Sequence, residues 1–355
     1  MSAPRLEIDL DRLHHNAATL VRRLAGQGIA VTAVGKACLG RPEIVRTWLA
    51  AGVTSIGDSR IETLEGLARG GLTTPTLLIR TPMLSQVEQV VAHVTSSCHS
   101  EPLVIQALAA AAQRQRRRHG VLLMVELGDR REGLLPRDLE AIARLTLGLP
   151  SLRLVGIGTN LGCQHGVAPD AANMAELSAL ADALEARLGI RLELVSGGNS
   201  ANLPWLARGG APGRINHLRL GEALLLGREP LARCPIPGLH TDAFSLVGEL
   251  IEVKRKPSRP WGEQGLTSFL ATAAAPAPDR GWRQRGLLAL GVQDVDPADL
   301  VPPPGVSIVG ASSDHLVVEA ERPLRVGEEL RFQPGYSALL RAMTSPFVHK
   351  HCLKG

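Results

Sequence analysis

The chain has 355 residues, 45% hydrophobic and 21% charged, which excludes wholesale disorder and suits one large α/β barrel plus a smaller second domain. Net charge is +5, yet the basic residues are dispersed apart from Arg114-Gln115-Arg116-Arg117-Arg118 at a helix end, and aromatics are only 3%, so no nucleic-acid surface is expected. No apolar run approaches the roughly eighteen residues of a membrane span, no signal-peptide pattern opens the chain, and five scattered cysteines lack metal-ligand spacing. The sequence therefore predicts a cytoplasmic protein with free thiols, no bound metal and no membrane partner.

From residue 30 to about 220, apolar runs at 30–35, 55–58, 76–80, 94–98, 121–127, 154–159, 192–196 and 217–220 read as buried strands. Amphipathic helical patterns lie between them, such as those at 42–51, 61–69, 102–118, 136–147 and 171–188. Eight strands, each followed by a helix, are the count of a (β/α)8 TIM barrel. A doubly wound open sheet competes, but no GxGxxG follows the first strand. After Arg228 the periodicity changes. Pro235-Ile-Pro-Gly238 reads as a linker, and strand-like runs follow at 244–253, 285–290, 306–311, 315–320 and 329–333. The Ala- and Pro-rich stretch 271–281 reads as an exposed loop. The expected division is a barrel over residues 1–230 and a mostly β domain over 231–355, with residues 1–8 able to join the β domain.

Only five of the 39 basic residues are lysine, and Lys36 stands alone in the first 253 residues. A primary amine can form an imine, which arginine cannot. Barrel sites form at the C-terminal ends of the strands. Those ends read Val34-Gly35-Lys36, Gly57-Asp58-Ser59, Glu126 to Gly133, Gly158-Thr159-Asn160, Ser196-Gly-Gly-Asn199-Ser200 and Arg219-Leu-Gly221-Glu222. The last two fit a phosphate site, where Ser200 offers a hydroxyl and Gly221 a close backbone approach. A phosphate site opposite a solitary lysine suggests pyridoxal 5′-phosphate (PLP). Schiff-base aldolases share that combination, although their lysine lies late in the barrel.

Longer motifs carry a family resemblance. Leu6-Glu-Ile-Asp-Leu-Asp-Arg-Leu-His-His-Asn16 resembles the opening of alanine racemases, and Val34-Gly-Lys36 their PLP-lysine segment. Ser55-Ile-Gly-Asp-Ser-Arg-Ile-Glu62, Val155-Gly-Ile-Gly-Thr-Asn-Leu-Gly162, Val195-Ser-Gly-Gly-Asn-Ser200 and Ile215-Asn-His-Leu-Arg-Leu-Gly-Glu222 resemble the branch that includes ornithine racemase. Gln293-Asp-Val-Asp-Pro297, Gly310-Ala-Ser-Ser-Asp-His315 and Ala342-Met-Thr-Ser-Pro346 extend the resemblance through the second domain.

The resemblance implies a PLP-dependent racemase or epimerase of a free amino acid (ornithine, another basic one, or an alanine-like one), with a decarboxylase or other PLP lyase as the alternative. A PLP carrier is a third reading, against which the second domain argues. In this reading Lys36 holds the cofactor as a Schiff base and is the base on one face. Arg219 meets the pyridine nitrogen, and Arg131 the phenolic oxygen. Asn199, Ser200, Gly221 and Glu222 surround the phosphate, with Asn160 nearby. The family's opposite-face tyrosine, supplied by the partner subunit of a homodimer, follows a segment resembling Gly262-Glu263. Here Gln264-Gly-Leu-Thr267 has no tyrosine, and the single tyrosine, Tyr336, lies elsewhere. Asp314 and His315 are the candidates for that second base. His240, Asp242, Asp294 and Asp296 are rivals, while Asp58 and Asp129 read as helix caps and His217 as structural.

Overall fold

The computed structural model describes residues 2–263, 265–266 and 278–353. Two compact units emerge, Leu10–Thr241 and the pair of segments Met1–Asp9 and Asp242–Gly355. In chain order, β1 (Arg5–Asp9) belongs to the second unit, and α1 (Leu10–Ala25) opens the first. There follow β2 (Ala30–Val34), α2 (Pro42–Ala50), β3 (Ser55–Asp58), α3 (Ile61–Arg69), β4 (Thr76–Leu78) and α4 (Val87–His93). Next come β5 (Ser96–His99), α5 (Pro102–Arg114), β6 (His119–Met124), α6 (Leu139–Leu147), β7 (Leu152–Gly158) and α7 (Ala171–Leu188). The unit ends with β8 (Leu194–Ser196), α8 (Leu203–Ala207), β9 (His217–Leu220) and α9 (Glu222–Leu226).

Strands β2 to β9 form a closed parallel barrel, sealed where β9 pairs β2 with Ala30 opposite His217 and Thr32 opposite Arg219. This is the (β/α)8 architecture expected from the alternating runs. Leu77, Cys98, Leu122, Met124 and Val155 pack as one apolar cluster. The helices follow local rules. Proline opens α2 and α5, where its missing N–H costs nothing. A capping box of Asp170 and Asn173 starts α7.

Some element ends differ from the sequence reading. The run 102–118 stops being helical at Arg114, and Arg116 adopts φ +54°. The basic stretch then packs sideways, with Arg114 paired to Glu88 and Arg117 donating to the Ala92 carbonyl at 2.7 Å. β6 stops at Met124 because the chain folds back, Leu134 N–H donating to Met124 O at 2.8 Å. Residues 231–241, read as the start of the second domain, group with the barrel. The Glu229 carboxylate accepts the N–H groups of Leu231, Ala232 and Cys234, and Ile236 N–H donates to Gly227 O.

In the second unit, β10 (Phe244–Pro257), β11 (Trp282–Leu288), β12 (Leu300–Val301), β13 (Val306–Ala311), β14 (Leu316–Ala320) and β15 (Glu329–Pro334) form an antiparallel sheet. Its order is β12-β15-β10-β11-β14-β13. After α10 (Tyr336–Thr344), β16 (His349–Leu353) pairs parallel with β1, which also lies antiparallel to β10. Leu246, Leu250, Leu288, Leu316, Val318 and Phe332 fill its core. Part of the expected loop, 271–277, lies outside the described residues. Among the described residues no helix is long and apolar enough to cross a membrane.

Candidate active site

Lys36 lies where the sequence placed it, just past β2. Gly35 N–H donates to Gly57 O at 2.8 Å, and residues Lys36–Cys38 form a single 3-10 turn that leaves Lys36 half-buried. Asp58, at the end of β3, is fully buried beside this turn. Its Oδ1 accepts Arg60 N–H at 2.8 Å just ahead of α3, as a capping role requires, while Oδ2 has no hydrogen-bond partner among the described residues. Burial pushes this carboxyl up to about 6, against the pull of the Ser59 and Arg60 N–H groups and of Lys36.

Arg219, on β9, is 4% exposed. Its Nη1 donates to Ser196 Oγ at 2.5 Å and its Nη2 to Thr159 O at 2.7 Å, so both of these partners are neutral oxygens rather than carboxylates. Among the described residues no salt bridge accounts for its presence. The neighbouring Gly158 makes room for it, since a Cβ there would lie 2.9 Å from Ser196 Cβ and 3.3 Å from Arg219 Nη1. From Ser196 the contacts continue to His217 Nδ1 at 2.9 Å, from His217 Nε2 to Thr32 Oγ1 at 2.7 Å, and on to Ser55 Oγ at 2.5 Å. Burial, reinforced by the charge of Arg219, pulls His217 down to about 3, so the imidazole is neutral.

The loops after β7 and β8 are tied together by Asn199. Its Nδ2 donates to Asn160 Oδ1 at 3.1 Å and Leu161 O at 2.8 Å, and its Oδ1 accepts Ala201 N–H at 2.8 Å. Ser200 Oγ accepts Ala223 N–H at 3.3 Å, linking this loop to the start of α9, where Gly221 is the residue before the helix and Glu222 its first. Asn160, Asn199, Ser200, Gly221 and Glu222 thus converge at adjacent strand ends.

Asp129, read as a helix cap, instead joins two loops. Its carboxylate accepts N–H groups from Cys163 at 3.2 Å, Gln164 at 2.8 Å and His165 at 3.2 Å, stapling the loop after β6 to the loop after β7. Burial raises its pKa, but these donors outweigh burial and hold it below the usual carboxylate range. Arg131, two residues on, pairs with Glu132 through Nη2 to Oε1 at 2.5 Å and Nε to Oε2. Sequence reasoning placed Glu132, Ser196 and Thr159 at strand ends but gave them no role. Polar residues at the ends of otherwise apolar strands were the available signal for the last two.

Asp314 and His315 lie in the second unit, in the turn between β13 and β14. His315 Nδ1 meets Asp314 Oδ1 at 3.1 Å, and the Ser312 and Ser313 hydroxyls donate to the same oxygen. His315, Ser312 and Ser313 hold Asp314 below the usual carboxylate range. The rivals have other work. Asp294 is buried and accepts from Ser345 Oγ at 2.8 Å and Gly291 N–H at 3.1 Å, and Asp296 accepts from Ser337 Oγ at 2.6 Å. His240 N–H donates to Asn16 Oδ1 at 2.7 Å, and its ring meets His15 edge-on. Asp242 opens the second unit, and Tyr336 is the first residue of α10. Gln264 and Thr267 lie outside the described residues. Among the described residues no group of three or more His, Cys, Asp and Glu could hold a metal.

A model of the alanine racemase N-terminal domain matches residues 8–229, and the chain belongs to that family. It is an amino-acid racemase by full-length likeness to two others. The lysine racemase of Thermotoga maritima is 37% identical over 99% of this chain and 98% of its own length. The ornithine racemase of Acetoanaerobium sticklandii is 38% identical, covering 99% of each. In fold the chain is similar to the alanine racemase of Streptomyces coelicolor A3(2), with a TM-score of 0.76 at 21% identity over 99% of this chain and 98% of that one.

Proposed function

We propose that this chain racemises a basic amino acid, lysine or ornithine, using PLP held at the C-terminal mouth of the barrel. The observation that carries the reading is Lys36 beside a strand, β9, whose buried Arg219 donates to the neutral oxygens of Ser196 and Thr159. The names of the two full-length relatives support the substrate class.

The residues fit the cofactor. Lys36 supplies the amine that would hold its aldehyde carbon. A guanidinium does not give up a proton, so Arg219 suits a ring nitrogen that accepts a hydrogen bond. Asn199, Ser200, Gly221 and Glu222 would surround the phosphate, with Asn160 alongside, and Arg131 would meet the phenolic oxygen. When bound, PLP supplies a conjugated ring that takes up the electron pair left when the Cα–H bond breaks. Lys36 accepts or returns the Cα proton on one face. Arg219, by leaving the ring nitrogen unprotonated, keeps the electron sink weak and limits side reactions. The opposite face needs a second proton carrier. Asp314 and His315 of a two-fold partner are its candidates, which makes the working unit a homodimer. Two exposed free thiols, Cys163 and Cys234, suit a reducing cytoplasm.

The test is to incubate PLP-loaded protein with L-lysine, L-ornithine and L-alanine in deuterated water. The expected result is deuterium at Cα and appearance of the D-isomers of the basic amino acids. Release of an amine would replace this reading with the decarboxylase, for which the missing tyrosine at 264–267 speaks. Absence of either product would leave a cofactor carrier.

A further inference from the structure

We propose that Glu132 is a positioning residue for Arg131, clamping its guanidinium side-on so that the donors outside the pair are fixed before the cofactor arrives. The proposal rests on the reading that Arg131 meets the cofactor's phenolic oxygen.

An ion pair between sequence neighbours on a solvated loop is ordinarily worth little. Two observations set this one apart. Both charges act inside the barrel unit, on the Arg219 guanidinium and on the Cys98 thiol, which are both buried. The pair also sits on a loop pinned at its ends and middle. Glu126 Oε1 accepts the N–H groups of Gly128 at 2.6 Å and Arg130 at 3.0 Å. Leu134 closes the loop onto Met124 O and Glu126 N–H at 2.8 and 2.9 Å. Asp129 staples it to the 163–165 backbone.

The backbone geometry explains how two adjacent side chains come to meet. Arg130 has φ +55° and Gly133 φ +145°, so left-handed residues flank the pair. A side chain at Gly133 would collide with the Glu126 backbone. The two-point contact engages Nε and Nη2 of Arg131 and leaves Nη1 outside the pair. The hydrogen bonds to Glu132 raise the Arg131 pKa above its ordinary value, against the effect of partial burial.

Positioning and charge balance predict opposite signs. Cofactor binding to a loosened Arg131 must order its side chain, which costs roughly two- to tenfold in affinity. Losing a negative charge near an anionic cofactor, by itself, would tighten binding. The experiment is equilibrium titration of apo protein with PLP, followed by visible absorbance, for wild type, Glu132→Gln, Glu132→Asp, Arg131→Ala and the Arg131→Ala/Glu132→Gln double variant. Thermal melts of each apo protein report the folded state. Glu132→Gln should bind several-fold more weakly. Glu132→Asp, which keeps the charge but draws it back by one methylene, should do the same and serves if the Gln variant does not fold. The double variant should be no weaker than Arg131→Ala alone. Unchanged or tighter binding by both Glu132 variants, alongside weaker binding by Arg131→Ala, would overturn the clamp. Wild-type binding by Arg131→Ala would instead remove Arg131 from the cofactor, and the reading beneath the proposal would fail.

Discussion

The Arg219 guanidinium and the Ser196 hydroxyl meet at 2.5 Å, and that contact sets the direction of a buried hydrogen-bond chain. Because Arg219 can only donate, Ser196 must accept from it and is free to donate its own proton to His217 Nδ1. With Ser196 donating in this way, His217 is the tautomer protonated on Nε2, which donates to Thr32 Oγ1. The low pKa of His217 agrees with a neutral ring.

Ser196→Ala should strand Arg219 Nη1 and His217 Nδ1 together. Each buried group left without a partner costs about 1–3 kcal/mol. Urea unfolding of the apo protein should show a lower midpoint, and the PLP absorbance of the loaded protein should shift as Arg219 loses its anchor. A midpoint equal to wild type would mean that solvent or another group replaces Ser196.

Acid should destabilise the barrel through its buried histidines. Burial lowers His99 to about 3 and His119 to about 4, and both meet Ser97 Oγ at 2.7 Å, while His217 is lowered to about 3. A histidine whose pKa is depressed on folding binds its proton more readily when unfolded. Its contribution is therefore present above about 6.5, the unfolded value, and is lost as pH falls toward 3–4. Asp58, raised to about 6, works against this, since between about 4 and 6 the folded state holds the proton that the unfolded chain releases. Three histidines against one carboxyl leave a net loss. Unfolding free energy of the apo protein should fall from pH 7 to pH 5, and His99→Asn should flatten that slope. A slope of zero would contradict the burial of the neutral rings.

The barrel was legible because buried parallel strands are short apolar runs, and eight of them alternate with helical patterns. Lys36 and Arg219 were legible because strand ends are where a barrel keeps its chemistry. β1 was not read as a strand, since Arg5 to Asp9 become one only by pairing with β10 and β16, hundreds of residues away. For the same reason Asp129 read as a cap. Its partners at 163–165 are set by which loops meet above the barrel, not by local sequence.

Lys36→Ala should leave the fold intact and remove the covalent anchor of the cofactor. Visible absorbance should revert to that of free PLP, and racemisation should fall to background, while the far-UV circular dichroism stays that of wild type. In the wild-type protein, borohydride reduction followed by peptide mapping should place the adduct on Lys36. A reduced adduct on Lys254, Lys256 or Lys350 would displace the assignment.

The second base is the remaining gap in the two-face scheme, and the Asp314–His315 pair is where it should be sought. A racemase needs a group that titrates usefully on each side of the α-carbon, and in the proposed scheme Lys36 serves one. Asp296 is engaged by Ser337 and Asp294 is buried against Ser345, so neither is well placed to exchange protons with a substrate. Asp314 and His315 are solvent-accessible and joined, with Asp314 held ionised by His315 and the two serines, so that it can orient the ring. Asp314→Asn and His315→Gln should each slow racemisation more from one enantiomer than from the other when proton abstraction is followed by loss of α-deuterium. The loss should be on the order of a hundredfold for the base itself and smaller for the residue that orients it. PLP absorbance should stay that of wild type in both, separating this effect from loss of the cofactor. Equal wild-type rates in both directions would assign the pair to the turn between β13 and β14 alone, and the search would move to Thr267.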